Sequence, residues 1–91
     1  MSLSRHNPKR DANERIIIEA LEARGFHVDQ VSGKGIPDLL VSKHGAMWLI
    51  DVKRPKGRFT SQQIQWRSRF QGPPPVTVRT VEEAMRFPDA V

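Results

Sequence analysis

Asp38, Asp51 and Lys53 are the side chains best placed to do chemistry in "GIPDLLVSKHGAMWLIDVK", residues 35 to 53. Asp51 and Lys53 lie two positions apart on a run that otherwise reads as a buried strand. Strand alternation therefore puts both on one face with Met47 and Leu49, and leaves Trp48, Ile50 and Val52 on the other. Lys43-His44-Gly45-Ala46 separates this run from "PDLLVS" and reads as a tight hairpin turn, with Gly45 available for the positive φ it needs. Centring the turn on His44-Gly45 pairs Lys43 with Ala46 and, counted back, sets Asp38 directly opposite Asp51. Their Cβ atoms would then be about 4.5–5.5 Å apart. Like charges so placed destabilise a sheet unless solvent or a cation lies between them. A hard divalent cation suits best. Mg²⁺ is held by one or two carboxylates, keeps several waters and takes phosphate oxygens, a ligand set suited to phosphodiester chemistry. The alternative is that Asp38 is a turn acid after Pro37 and Asp51 a strand-end acid in water.

A third acid follows from helical phase. In "DANERIIIEALEARG", Ala12, Ile16, Ile17, Ala20 and Leu21 sweep an apolar arc that continues to Ile18, and Glu14 falls between Leu21 and Ile18. Glu14 is thus expected to point at the sheet, while Glu19 and Glu22 fall on the solvated sector. A core-facing carboxylate near a helix start calls for a cation or a donor. The other reading makes Glu14 the reciprocal partner of Asp11 in a capping box.

The elements that must position these groups can be read along the chain. A first helix starts at Asn7-Pro8 or Asp11 and stops at Gly25. "FHVDQV" follows as a strand with Phe26 and Val28 inward and His27 and Asp29 outward, and "SGKG" ends it in a basic loop. After the hairpin, "RPKGR" is a basic turn. Thr60-x-x-Gln63 is a capping box that opens the helix "TSQQIQWRSRF", closed by Gly72 and three prolines. "VTVR" is a short strand, and Thr80-x-x-Glu83 starts a last helix that ends before Pro88. The order is helix, three strands, helix, strand, helix.

Composition narrows the classes. At 91 residues the chain is one small domain with one modest core. It has neither a run of apolar residues long enough to span a membrane nor the regions of a signal peptide, so a cytosolic protein is expected. The absence of cysteine excludes disulfides and thiolate metal sites, and His6, His27 and His44 have no ligand spacing, so any metal must be held mainly by oxygen. The net charge of +5 suits a polyanionic partner.

Together these features resemble the PD-(D/E)XK nuclease superfamily, and most closely its VRR-NUC (virus-type replication-repair nuclease) family. The resemblance spans nearly the whole chain: the helix with Glu14, "GIPDLLV" with Asp38, "WLIDVKRPKGR" with Asp51 and Lys53, "TSQQIQW" with Gln63 and Trp66, and "VTVRTVEEA". It implies an α/β fold with a PD-(D/E)XK restriction-endonuclease-like core, in the order α-β-β-β-α-β-α, whose mixed four-stranded sheet is flanked by helices in a single nuclease domain over residues 1–91. It also implies a metal-dependent DNA endonuclease using Mg²⁺ or Mn²⁺. Asp38, Asp51 and the backbone carbonyl of Val52 would bind the metal, and Glu14 would complete the site directly or through water. Lys53 would orient the attacking water and neutralise charge on the phosphate. Gln63 matches the family's helix glutamine near the active site, or else serves only its capping box. One departure stands out: family members usually carry glutamate where this chain has Asp51, one methylene shorter.

Basic residues surround the acids. Lys34 precedes Asp38, while Arg54, Lys56 and Arg58 follow Lys53, which is where DNA phosphates would lie. Arg67 and Arg69 on the second helix either extend this basic surface or, taken singly, read as charges on a solvated face. "SGKG" lacks the spacing of a nucleotide-binding loop, and no recognition helix or zinc finger is present. The competing function is a non-catalytic or weakly catalytic DNA-structure-binding module on the same fold, and RNA is a further possible substrate. Apolar surface on the Trp48 and Ile50 face, left by two short polar helices, suggests a homodimer, as does the family. Paired sites related by a two-fold axis suit branched DNA such as a four-way junction.

Overall fold

A computed structural model describes residues 12–89. Its elements are α1 (Ala12–Ala23), β1 (His27–Gln30), β2 (Leu39–Lys43), β3 (Ala46–Val52), α2 (Ser61–Arg69), β4 (Val76–Val78) and α3 (Val81–Arg86). The helix and strand order is the one the sequence suggests. Asp11, and with it the expected Asp11–Glu14 capping box, lies outside the described residues, as does any helix start at Asn7-Pro8.

β1, β2 and β3 form an antiparallel meander and β4 joins β3 in parallel, giving a mixed four-stranded sheet in the order β1-β2-β3-β4. The hairpin register runs from Lys43↔Ala46 to Leu39↔Ile50, as the turn position requires. His44 (φ 52°) and Gly45 (φ 83°) both take the left-handed conformation of a two-residue type I′ turn, whose twist matches the strands. α1 ends in a Schellman motif. Gly25 at φ 89° lets its own N–H reach Glu22 O (2.9 Å) and the Phe26 N–H reach Leu21 O (3.2 Å). Arg24 then donates to Ala84 O (2.7 Å) and Phe87 O (2.6 Å), tying that corner to the end of α3.

α1 and α3 cover one face of the sheet. Ile17, Ile18 and Leu21 pack there with Phe26, Val28, Leu39, Val41, Ile50, Val78, Ala84 and Phe87. Each of the larger side chains contributes about 1.5–3 kcal/mol by burial. The stripe that α1 buries is Glu14, Ile17, Ile18 and Leu21, a spacing of three, four and seven. Ile16, expected in the arc, is instead 44% exposed. The small sheet and the short α3 meet only a narrow stripe of α1, and Ile16 falls outside it. The Trp48 and Ile50 face, expected to leave apolar surface bare, is covered. Trp48 packs edge-on to Phe26 (5.8 Å between centroids) and Phe87 (5.1 Å), so two aromatic rings flanking the helices supply the cover.

α2 lies over the other face and buries none of its residues fully. Thr60 caps it as expected, with both halves of the capping box formed. Polar bonds to β3 hold it rather than an apolar seam, and the same bonds build the site.

Candidate active site

Along β2 and β3 the antiparallel ladder stops at Leu39↔Ile50, one pair short of the expected Asp38–Asp51 pair. Asp38 still pairs on its β1 side, where its carbonyl accepts from the Val31 N–H (2.8 Å). On its β3 side the side chain takes over from the backbone, and Asp38 Oδ2 accepts the Val52 N–H at 2.8 Å. A carboxylate is thus bound where the next ladder bond would be. In an extended strand a residue's N–H and C=O point to the same side. The Val52 carbonyl therefore faces the side on which Asp38 lies. Lys53 continues pairing on the opposite edge, its N–H donating to Val78 O (3.1 Å).

Asp51 shares its face with Lys53, Leu49 and Met47, the side covered by α2. It is buried to 0% exposure, beside a sheet partner, Thr77, on β4. A buried carboxylate needs a counter-charge, and Arg67 of α2 supplies one: its Nη2 donates to Asp51 Oδ2 at 2.7 Å and to Thr77 Oγ1 at 3.3 Å. The guanidinium lies 4.3 Å from the centre of the Phe59 ring. This overturns the reading of Arg67 as a solvated-face charge. The sequence gives its helix position but not the rotation of a helix that has no apolar stripe to orient it. The ion pair uses one oxygen only. Asp51 Oδ1 and Arg67 Nε are both buried, and neither takes a hydrogen bond.

Lys53 reaches across to the start of α2. Its Nζ donates to Gln63 Oε1 (2.6 Å) and Arg58 O (3.1 Å) and lies 5.2 Å from the Phe59 ring centre. Gln63 Oε1 also accepts the Thr60 N–H at 2.9 Å, so the capping role and the contact with Lys53 coexist in one atom. The two readings of Gln63 do not compete. Phe59, which the sequence reading did not single out, lies against both cations.

Glu14 is 5% exposed, as helical phase requires, and accepts from Gln30 Nε2 (3.5 Å). Gln30 pairs with Leu39 and so points to the α1 side, across the sheet from Asp51. The start of α1 nevertheless reaches the same end of the sheet. Asn13 Nδ2 donates to Lys53 O (3.2 Å) and Arg79 O (3.4 Å), which fixes that turn over the ends of β3 and β4.

Lys34, Arg54, Lys56 and Arg58 are exposed. Gly35 (φ 76°) packs its backbone on Gln62, where a Cβ would collide with the carbonyl, so the Lys34 loop abuts the first turn of α2. The turn after Lys53 is held from β4: Arg79 Nη1 donates to Arg54 O (2.9 Å), Pro55 O (3.4 Å) and Gly57 O (2.8 Å). Arg79 is a second organising residue that the sequence reading missed. A lone arginine after a short strand carries no signal for its contact with a turn over twenty residues earlier.

Among the described residues no group of three or more His, Cys, Asp or Glu side chains is gathered as a metal-binding cluster. What the ladder end does present is a set of hard oxygens. Asp51 Oδ1 is buried without a hydrogen bond, the Asp38 carboxylate lies on the amide of the next residue, Val52, and the Val52 carbonyl faces the side of Asp38. That set fits Mg²⁺ or Mn²⁺, which take few carboxylates and keep water. Comparison of the chain with protein-family models, curated protein sequences and solved structures finds no match.

Proposed function

We propose that the protein is a metal-dependent endodeoxyribonuclease of VRR-NUC type, acting in the cytosol on branched DNA. The observation that carries this reading is the juxtaposition, at one sheet end, of Asp51 with an unbonded buried oxygen, Asp38 on the Val52 amide, and Lys53 held by Gln63. Asp38, Asp51 and the Val52 carbonyl would hold Mg²⁺ or Mn²⁺, with Glu14 near the same end of the sheet. When bound, that ion supplies an acidified water and charge for the scissile phosphate. Lys53, on the same face of β3 as Asp51, would stabilise charge that develops on the phosphate. Gln63 sets its position. Lys34, Arg54, Lys56 and Arg58 bind backbone phosphates without reading bases.

The competing reading, a DNA-structure-binding module without cleavage, is favoured by the Arg67 bond that already neutralises Asp51. Labelled duplex, flap, fork, four-way junction and RNA, each incubated with Mg²⁺, Mn²⁺ or chelator, separate the two. Metal-dependent cuts in junction strands support the nuclease, and binding without cleavage under every condition supports the module. A homodimer, carried by the family resemblance now that the Trp48 and Ile50 face is covered, completes the proposal, with two sites at fixed separation making paired nicks across a junction. Light scattering should then give about twice the 10.4 kDa chain mass. A monomer that nicks duplex as readily as junction contradicts that part.

A further inference from the structure

The Arg67–Asp51 pair is built for one bond when its groups are capable of two. A guanidinium and a carboxylate side by side normally form a fork of two parallel bonds. Arg67 makes only the Nη2–Oδ2 bond, at 2.7 Å, and both Arg67 Nε and Asp51 Oδ1 stay buried and unbonded. Contacts outside the pair hold the guanidinium in this half-engaged pose: Thr77 Oγ1 takes a second bond from the same Nη2, and the Phe59 ring lies 4.3 Å away. A pair that existed only to stabilise the fold would gain by closing the fork. The arrangement neutralises the carboxylate and leaves one of its buried oxygens without a hydrogen bond.

Resting on the nuclease reading above, we infer that Arg67 is a resident counter-ion that competes with a divalent cation for Asp51. In the metal-free protein the guanidinium compensates a carboxylate that is out of water. When a cation is held at Oδ1, Arg67 becomes a repelling neighbour, and its presence sets the cation affinity of the site low.

The test measures Mn²⁺ affinity, by spin resonance of free Mn²⁺, and Tm in chelator and in Mn²⁺, for the parent, Arg67→Met, Arg67→Lys and Thr77→Val. Removing the guanidinium should lower Tm in chelator by roughly 10 °C or more, because one buried charge loses its partner. The same variant should bind Mn²⁺ about 10-fold more tightly than the parent, or better, a gain of about 1.4 kcal/mol. Its Tm should rise further on adding Mn²⁺ than the parent's does. Arg67→Lys should bind Mn²⁺ like the parent. Thr77→Val, which loosens Arg67 without unpairing Asp51, should bind severalfold more tightly and covers the case in which Arg67→Met does not fold. A purely structural arginine predicts weaker Mn²⁺ binding in Arg67→Met and no gain in Thr77→Val. Equal or weaker binding in Arg67→Met, or in Thr77→Val if the former is unfolded, overturns the inference. Parent cleavage measured alongside keeps the two claims apart. A parent that cleaves with Mn²⁺ while the variants bind no more tightly sinks the counter-ion role alone. Variants that bind tightly beside a parent inert on every substrate uphold the counter-ion role and sink the nuclease.

Discussion

Gln63 performs two tasks with one oxygen, and two substitutions separate them. Thr60→Ala removes the bond from Gln63 N to Thr60 Oγ1 (3.2 Å) and leaves the Lys53 contact in place. Loss of an N-cap costs about 1 kcal/mol, which lowers Tm by roughly 4–8 °C in a domain of this size. Gln63→Ala removes the reciprocal bond from Thr60 N and also the 2.6 Å bond from Lys53 Nζ. A hydrogen bond to a charged group contributes about 1.5–3 kcal/mol when well buried. Partial exposure reduces that to about 1 kcal/mol here, so Gln63→Ala should cost about twice what Thr60→Ala does. The rates should diverge further. Lys53 keeps Arg58 O and the Phe59 ring but loses the partner that aims it, so Gln63→Ala should cleave about 10-fold more slowly, while Thr60→Ala stays within about twofold of the parent. Gln63→Glu retains the acceptor for the cap and should recover stability. Thermal melts and single-turnover cleavage of a labelled four-way junction read both quantities. Equal rates for Thr60→Ala and Gln63→Ala would refute the reasoning, because Gln63 would then be only a cap.

Other perturbations have equally definite outcomes. Asp38→Asn keeps an oxygen acceptor for the Val52 N–H, so its Tm should stay within a few degrees of the parent's while metal-dependent cleavage disappears, as melts and a cleavage time course would register. Gly35→Ala should lower Tm by roughly 5 °C or more, since φ 76° costs an alanine about 1–2 kcal/mol and its methyl meets the Gln62 carbonyl. Lys56→Ala should reduce the slope of log affinity against log salt by about 0.9 in a DNA-binding titration, with melting unchanged.

The hairpin was legible from sequence because two strict rules apply there. His44-Gly45 admits one turn geometry, and side-chain alternation then assigns every face, so Asp51 and Lys53 were placed together correctly. Glu14 was legible for the same reason, through the helical period. Each of these rules ends where regular structure ends. The ladder stops before Asp38, and its carboxylate binds an amide instead of facing Asp51 across the strands, an outcome no count of residues contains. Arg67 was misread because α2 has no apolar stripe from which to phase it; its orientation comes from the buried charge it must meet. Arg79 was missed because three backbone carbonyls, which every sequence has, are what recruit it.

The most direct measurement is single-turnover cleavage of an end-labelled four-way junction by the parent and by Asp51→Asn, with Mn²⁺ and with chelator, at equal bound fraction. Asn keeps the size of Asp51 and removes its charge from the centre of the site. The account predicts cuts by the parent in Mn²⁺ alone and none above background by Asp51→Asn, with the variant still bound to the junction. Cleavage by Asp51→Asn near the parent rate, or by the parent in chelator, would contradict it.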